Sequence, residues 1–218
     1  MNNNCIICEK EIQEDFIADL FLIYTNKICI ECHSKFKLLK KENKCPQCFK
    51  WQKENNLCPD CELWNKNQKP LFNKAIFKYD ANFSVYMHRY KYMGDFQLRK
   101  EFTNIAKKKL NKVKRDFDLI TTIPVSNETF DKRLFNQVEG IFGKQEQVMN
   151  IENKLQMSGL SPEERRLQKL DFKVTDKVQN MKILLLDDVY TTGTTMHTAA
   201  QALYTQGARD IQSLTLAR

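Results

Sequence analysis

The hydrophobic pattern of the chain alternates between strand-like and helix-like segments from residue 72 onward. Apolar and polar residues alternate over 72–79, and short apolar runs at 117–125, 182–187 and 210–216 have the length of strands. Between these runs, apolar residues recur at the three- and four-residue intervals of amphipathic helices. Segments with this helical pattern are 83–92, 95–113, 129–142, 160–170 and 196–206. Strands that alternate with helices predict an α/β fold with a doubly wound, mostly parallel sheet.

The first 66 residues show a different pattern, in which cysteines take the place of long apolar runs. All eight cysteines lie in Cys-x-x-Cys pairs, and residues 62–218 contain none. This spacing lets two thiolates reach one tetrahedral ion, so the cysteines predict two structural zinc sites. The predicted ligands are Cys5, Cys8, Cys29, Cys32, Cys45, Cys48, Cys58 and Cys61. We therefore predict a small zinc-binding module at 1–66 and an α/β domain at 70–218.

The four pairs can be shared between two ions in two ways. We expect sequential pairing, in which the first two pairs hold one ion and the last two hold the other. The alternative is a cross-braced arrangement, in which the first and third pairs share an ion. A disulfide framework is not expected, because we expect no secretory signal peptide and cytosolic thiols stay reduced. A catalytic redox Cys-x-x-Cys motif is also not expected, because four copies of it would be redundant.

Charge and hydropathy narrow the classes of partner and location. Residues 1–66 contain ten basic and ten acidic side chains, so the net charge of +8 belongs to the remaining residues. Each zinc with four thiolates would add about −2, which favours a structural or protein-docking role for the module over nucleic-acid binding. No apolar run approaches the roughly 20 residues of a membrane helix. We expect a cytoplasmic protein without membrane insertion.

Two further features bear on nucleic-acid binding. The helical segment 95–113, with the residues just after it, has a basic outer face. Its members are Arg99, Lys100, Lys107, Lys108, Lys109, Lys112, Lys114 and Arg115. A solvated surface is the ordinary interpretation of such a face, and a track for the phosphates of single-stranded DNA is the alternative. Trp51 and Trp64 bracket the last cysteine pair, and we expect them to pack on the module rather than on bases.

The segment 183–196 carries the strongest chemical signal. Its apolar run ends in Asp187 and Asp188, which precede a hydroxyl-rich loop with one glycine and then a predicted helix. A loop between a strand and a helix presents backbone N–H groups and the helix dipole to an anion. Carboxylates at the strand end, which we expect outside the core, suit sugar hydroxyls or a magnesium ion. The segment predicts a phosphate site beside a ribose or metal site.

This segment resembles the 5-phosphoribosyl-1-pyrophosphate (PRPP) motif of the type I phosphoribosyltransferases. The resemblance implies that Asp187 and Asp188 bind the ribose of PRPP, while the loop holds the 5′-phosphate and magnesium binds the pyrophosphate. The implied loop residues are Val189, Tyr190, Thr191, Thr192, Gly193, Thr194 and Thr195.

Over nearly its full length the chain resembles the ComF family of competence proteins. Four cysteine pairs, a Lys-Tyr-x-Gly-Asp turn at 91–95, an Arg-x-Phe-Asn-Gln segment at 133–137 and the PRPP motif occur in the family's order. The family usually has glycine where Leu134 stands. The resemblance implies a type I phosphoribosyltransferase-like domain that acts in DNA uptake during natural transformation, with a helicase-like ATPase as partner.

The resemblance also implies roles near the pyrophosphate. Gly94, with Tyr92 and Asp95, would hold the pyrophosphate, and Lys91 and Arg133 would give electrostatic support. These two cations complete the implied catalytic set with Asp187 and Asp188.

Two interpretations of the function remain open. In the first, the protein is an enzyme that transfers a phosphoribosyl group to an acceptor that the sequence does not identify. In the second, it is a non-catalytic adaptor that senses PRPP or a nucleotide and binds single-stranded DNA and a helicase-like partner. His88 and His197 lie on predicted helices and are expected at the surface, so neither is assigned as a general base.

Overall fold

We describe the fold from a computed structural model, in which residues 4–12, 28–39, 43–93, 95–151 and 170–218 are placed. The helices in these ranges are α1 (Ile30–Ser34), α2 (Pro59–Asn65), α3 (Ala81–Tyr92), α4 (Arg99–Val113), α5 (Asn127–Arg133), α6 (Gln137–Phe142) and α7 (Thr194–Thr205). The strands are β1 (Phe72–Phe77), β2 (Leu119–Thr122), β3 (Met149–Ile151), β4 (Phe172–Val174), β5 (Lys182–Val189) and β6 (Asp210–Ala217). The helix predicted at 160–170 lies outside the described residues, apart from its last residue.

The central sheet has four strands in the order β1-β6-β5-β2, and all three pairings are parallel. Strands β3 and β4 form a separate antiparallel pair. Strand β5 lies inside the sheet, and its register aligns Leu186 with Leu214 of β6 and with Thr122 of β2. The predicted α/β fold with a mostly parallel sheet is confirmed.

The two faces of the sheet carry separate apolar clusters. Along β5, Ile183 and Leu185 belong to one cluster, and Leu184 and Leu186 belong to the other. This is the alternation that a strand imposes on its side chains. The first cluster includes apolar residues of α7, and the second includes those of α3, α4 and α6. Each fully buried aliphatic side chain contributes about 1.5–3 kcal/mol, so β5 is anchored on both faces.

The cysteine-rich part of the chain packs on both faces of this sheet. Cys45, Cys48, Cys58 and Cys61 are buried in the same apolar cluster as α7. On the other face, Ile6 and Ile7 pack against the cluster of α3 and α4, and Arg89 of α3 donates to their backbone carbonyls. The division into units at 1–66 and 70–218 stays a prediction. None of the described helices is long and apolar enough to cross a membrane.

The continuous helix predicted over 129–142 is wrong, because the backbone reverses in its middle. Helix α5 ends at Arg133, and Leu134 takes a left-handed conformation with φ 61° and ψ 12°. Helix α6 then begins at Gln137, where the Asn136 side chain accepts from the amides of residues 138 and 139. Apolar periodicity continues across the break, and so the pattern alone does not reveal it. The left-handed conformation favours glycine, the residue that the ComF resemblance implies at this position.

Candidate functional site

The eight cysteines form two clusters, each with four sulfur atoms within 4.8 Å of one another. The first cysteine cluster comprises Cys5, Cys8, Cys29 and Cys32, and the second comprises Cys45, Cys48, Cys58 and Cys61. Sequential pairing of the Cys-x-x-Cys motifs is therefore confirmed, and the cross-braced alternative is wrong. Close sulfur pairs measure 3.7 Å for Cys45–Cys61 and 3.5 Å for Cys48–Cys58. Four thiolates about 2.3 Å from one tetrahedral ion lie about 3.8 Å apart, so the donor set fits zinc.

Each cluster combines a tight turn with the start of a helix. In the turns, the Cys5 amide donates to Lys10 O and the Cys45 amide donates to Lys50 O, both at 2.8 Å. Glu9 and Phe49 occupy equivalent left-handed positions in these turns, at φ 63° and 66°. The other two ligands of each cluster come from the N-termini of α1 and α2. The positive end of a helix dipole favours the thiolate form that a metal ligand needs.

The predicted phosphate loop joins β5 to α7 through a left-handed glycine. Gly193 has φ 86° and precedes the first helical residue. A Cβ atom at this position would lie 2.5 Å from the hydroxyl oxygen of Tyr190, which is closer than two atoms can approach. Tyr190 is 1% exposed, and burial raises the pKa of its hydroxyl well above the usual value. The loop therefore requires glycine at 193 for its backbone conformation and for the tyrosine packed beneath it.

Loop residues 191–194 offer a concentration of hydrogen-bond donors. The Thr192 and Thr194 hydroxyl oxygens lie 3.0 Å apart, at the N-terminus of α7. Among the described residues, the amides of Thr191, Thr192 and Gly193 have no hydrogen-bond acceptor. Unpaired amides beside a helix N-terminus are the donors that a phosphate accepts.

The acid pair lies beside this loop, on the last residues of β5. Asp187 and Asp188 are 8% and 3% exposed, so the expectation that these carboxylates lie outside the core is wrong. Strand β5 extends two residues further than predicted, to Val189, so both acids lie within the strand rather than after it. Asp187 Oδ1 accepts from the Asp188 amide at 2.8 Å, while Asp188 Oδ1 lies 2.7 Å from Lys91 Nζ. Asp188 Oδ2 is buried without a partner among the described residues, and so it fits a hydroxyl donor or a cation.

The Lys91–Asp188 contact sets the protonation state of the lysine. Burial alone would lower the pKa of Lys91, but the Asp188 and Asp187 carboxylates outweigh it and raise that pKa above its usual value. Lys91 therefore stays charged and cannot serve as a proton acceptor at neutral pH. It provides fixed positive charge beside the acid pair instead.

The other residues assigned to the pyrophosphate side make contacts of their own. The Arg133 guanidinium lies 4.9 Å from the Tyr92 ring centre and donates to Gln137 Oε1 at 3.1 Å. Asp95 forms a 2.7 Å ion pair with Arg89. Gly94 lies outside the described residues. The structure thus joins Lys91 to the acid pair and Arg133 to Tyr92, while Asp95 contacts the arginine that holds the first cysteine cluster.

A layer of side chains beneath the phosphate loop was missed by sequence reasoning. His197 is 1% exposed, so its expected surface position is wrong; its Nε2 lies 3.0 Å from the Tyr190 hydroxyl. Trp64 stacks on His197 at 4.5 Å, so it packs against the α/β domain rather than on its own module. Arg218 contacts both the loop and the second cysteine cluster. A single tryptophan, histidine or arginine carries no spacing signal, and only the fold brings these three together.

The basic face predicted on α4 lies at the surface. Lys100, Lys107, Lys108 and Lys112 are exposed, whereas Phe102, Ala106 and Leu110 on the opposite side of the helix are buried. A cleft of about 620 Å³ lies along this helix. Its lining includes Arg99, Lys100, Lys107, Lys144, Phe96 and Phe135.

Trp51, in contrast to the stacked Trp64, is 49% exposed, and Lys78 Nζ lies 3.9 Å from its ring centre.

Comparison with known proteins agrees with this architecture. Residues 97–218, which contain β5, the acid pair, the predicted phosphate loop and α7, match the family described as "Phosphoribosyl transferase domain". Competence protein ComFC of Streptococcus pneumoniae (strain ATCC BAA-255 / R6) is 32% identical over 222 residues, which cover 98% of this chain and 99% of the relative. Competence protein ComFC of Bacillus subtilis (strain 168) is 29% identical over 228 residues, which cover 98% and 94% of the two chains.

Proposed function

Because the chain belongs to the ComFC family of competence proteins and carries a phosphoribosyl transferase domain, we propose that it binds PRPP and acts in DNA uptake during natural transformation, in the cytoplasm. The observation that carries the proposal is the loop at the end of β5. Its unpaired amides and threonine hydroxyls lie next to a buried carboxylate oxygen that has no partner among the described residues.

In this proposal, each part of the site binds one part of PRPP. The segment from Val189 to Thr195 holds the 5′-phosphate through the amides and hydroxyls before α7. Asp187 and Asp188 accept hydrogen bonds from the ribose hydroxyls, and Asp188 Oδ2, which has no partner among the described residues, accepts one of them. Charge-assisted hydrogen bonds of these kinds contribute about 1.5–3 kcal/mol each.

The pyrophosphate would lie on the side of α3 and α5. Lys91 is fixed by Asp188, and Arg133 contacts Tyr92, so both cations are held by the fold. Together with Tyr92, Gly94 and Asp95 they form our proposed pyrophosphate side. Magnesium, when bound with the ligand, would neutralise the pyrophosphate charge. The contribution of the chain is to position the ribose and stabilise the charge of the leaving group.

Calorimetry with three ligands tests this division of the site. Magnesium and PRPP should bind most tightly, because PRPP engages the loop, the acid pair and the pyrophosphate side together. Ribose 5-phosphate should bind more weakly, because it lacks the pyrophosphate. Pyrophosphate alone should also bind, because it engages the pyrophosphate side and does not need the loop. A protein with no measurable affinity for magnesium and PRPP would overturn the proposal.

We propose further that each cysteine cluster holds one structural zinc ion. The sulfur separations and the helix N-termini at both clusters support this assignment. Metal analysis of reduced, unstripped protein should return close to two zinc ions per chain. One ion or none would contradict the two-site assignment.

A second candidate function, a non-catalytic PRPP-binding adaptor, is favoured by the contacts of the histidines. The chain has three. His33 lies 3.7 Å from Glu101, His88 lies against Tyr92, and His197 lies beneath the loop against Tyr190. None of these contacts is with the acid pair. Phosphorus NMR of PRPP with magnesium and candidate bases separates the two functions, since an enzyme releases pyrophosphate at catalytic rates and an adaptor leaves PRPP intact.

The adaptor function would also use single-stranded DNA and a helicase-like ATPase as partners. The exposed basic face of α4 supports the DNA contact, because clustered lysines bind phosphates without regard to sequence. Lys107→Glu/Lys108→Glu should weaken DNA binding and reduce its dependence on salt. Lys177→Glu is the control, because it reverses an exposed charge in the turn Asp176–Val178, outside α4. Equal loss in the two variants would trace the effect to the net charge of the protein rather than to α4.

A further inference from the structure

Three consecutive backbone carbonyls of the phosphate loop accept hydrogen bonds from two side chains. The Arg218 guanidinium donates from Nη1 to the carbonyl of Tyr190, at 3.3 Å, and to that of Thr191. Trp64 donates from Nε1 to the carbonyl of Thr192 at 2.9 Å. Arg218 is 8% exposed, so water does not compete freely for these acceptors. The loop backbone is therefore fixed from one side over three residues in a row.

The same bonds set the direction of the loop amides. In a trans peptide, the carbonyl of one residue and the N–H of the next point to opposite sides. Carbonyls held toward Arg218 and Trp64 thus turn the N–H groups of Thr191, Thr192 and Gly193 away from these side chains. These are the same three loop amides that have no acceptor among the described residues. An anion that accepts from them would meet donors already aimed at it, with less ordering to complete on binding.

Arg218 also contacts the second cysteine cluster. Its Nε and Nη2 each lie 3.3 Å from Cys48 Sγ, and Nη2 lies 3.2 Å from Asp60 Oδ2. A closed metal site ties its four ligands to one geometry, so an ion in this cluster would fix the Cys48 sulfur and the start of α2. Metal in this cluster therefore holds the anchor of Arg218 in place, and metal loss loosens it. Trp64 belongs to α2, which begins at the ligands Cys58 and Cys61, so its position depends on the same cluster.

We propose that Arg218 and Trp64 are positioning residues through which metal in the second cysteine cluster holds the phosphate loop ready for its ligand. The inference rests on the proposed binding of the 5′-phosphate by this loop. In this role the second cysteine cluster affects ligand affinity, whereas a site of four cysteines would otherwise be only a structural support. Loss of metal from this cluster lowers the affinity for phosphoribosyl ligands even when the sheet stays folded.

Three variants of the zinc-loaded full chain test the inference. Arg218→Gln removes the bonds that link the loop to Cys48 and Asp60. Trp64→Phe keeps an aromatic ring over His197 but removes the indole donor to Thr192. Lys50→Gln is the matched control, because Lys50 contacts Asp60 at 2.9 Å and makes no contact with the loop. For each variant we would measure zinc content, calorimetric affinity, and ¹⁵N relaxation of the amides at 191–193 without ligand.

We expect all three variants to retain two zinc ions. Arg218→Gln should bind magnesium with PRPP about tenfold more weakly, as loss of one net charge-assisted interaction implies. Ribose 5-phosphate should lose a similar factor, whereas pyrophosphate should lose none, because it does not use the loop. The order parameters of the loop amides should fall from about 0.85 toward 0.6. Trp64→Phe should show a smaller change of the same kind, and Lys50→Gln should match wild type.

The outcomes separate this inference from the proposed function. If wild type binds PRPP and Arg218→Gln matches it in affinity and in loop order parameters, the positioning role is overturned. An equal loss of affinity for pyrophosphate would also overturn it, because the effect would then be general rather than confined to the loop. If wild type does not bind PRPP but the loop amides become mobile in Arg218→Gln, the proposed function fails and the positioning role stands.

Discussion

Lys91 Nζ lies 2.7 Å from Asp188 Oδ1, and this ion pair joins the end of α3 to the last residues of β5. The lysine and aspartate side chains are 19% and 4% exposed, so each neutralises a charge that water reaches poorly. A pair of this kind gives limited net stability when complete, but removal of one partner leaves a buried charge alone. The Lys91–Asp188 ion pair therefore fixes the position of the acid pair. It also makes the stability of the protein sensitive to substitution of either partner.

Lys91→Met should lower the free energy of unfolding by about 3 kcal/mol, because it leaves the Asp188 carboxylate buried without its cation. Lys91→Met/Asp188→Asn should recover much of that loss, since the amide carries no charge. Urea denaturation of the two variants and of Asp188→Asn alone completes a double-mutant cycle. If the effects of the two substitutions on the free energy of unfolding were strictly additive, the cycle would contradict the Lys91–Asp188 contact.

Gly193→Ala should weaken PRPP binding by at least about tenfold, because the new Cβ meets the Tyr190 hydroxyl and the residue must keep φ 86°. Gly207→Ala is the matched control. Gly207 also has a positive φ, 96°, but a Cβ there has its nearest neighbour at 3.5 Å. The control should lower the melting temperature and leave PRPP affinity unchanged. Calorimetry that finds equal affinity losses in both would trace the effect to general destabilisation.

Leu134→Gly should raise the free energy of unfolding by about 0.5–1 kcal/mol. A left-handed conformation costs a residue with a side chain about 1–2 kcal/mol, and the added chain entropy of glycine offsets part of that gain. Little burial is lost, because Leu134 is 80% exposed. Leu134→Ala keeps the unfavourable conformation and should not stabilise the protein. Thermal unfolding that ranks alanine at or above glycine would contradict the left-handed conformation.

The stability of the protein should fall as the pH drops below the ordinary pKa of histidine. Burial, with a smaller contribution from Arg218, lowers the pKa of His197 from 6.5 to about 4. The unfolded chain therefore binds a proton near its usual pKa, while folded His197 does not until near pH 4. The stabilisation by neutral His197 is complete above the unfolded pKa and is lost as pH falls toward the folded pKa.

From about pH 7 to about pH 5.5 this loss amounts to about 1 kcal/mol, or about 2–4 °C in melting temperature. His197→Gln should remove that part of the pH dependence, because glutamine does not titrate. His33→Gln is the comparison, since burial also lowers the pKa of His33. Zinc content must stay constant across the series. A pH profile for His197→Gln that parallels wild type would contradict the neutral, buried histidine.

The features that sequence predicted best are those with a spacing signal. The Cys-x-x-Cys pairs and the strand–acid–loop–helix order of 183–196 each combine residue type with position, and the fold keeps both arrangements. Sequential pairing of the cysteines was the first expectation, and the two clusters confirm it.

The features that sequence missed depend on contacts between distant segments. Trp64 and Thr192 are 128 residues apart, and Arg218 and Cys48 are 170 apart. The break at Leu134 is a backbone conformation that apolar periodicity does not encode. The burial of Asp187 and Asp188 depends on how far β5 pairs with β6, which continues to Val189. These positions depend on tertiary contacts or on backbone conformation, and the local apolar pattern contributes little.

Calorimetric titration of Asp187→Asn/Asp188→Asn with magnesium and PRPP tests the central claim most directly. Asparagine keeps the shape of both side chains and spares Lys91 from losing its acceptor, but it removes the charge that ribose hydroxyls and magnesium favour. Glu146→Gln, which neutralises an exposed acid far along the sequence, is the matched control. The account predicts an affinity at least about tenfold lower for the double variant, with no loss in the control. Equal affinity in wild type and in a folded double variant would contradict the assignment of the acid pair to PRPP.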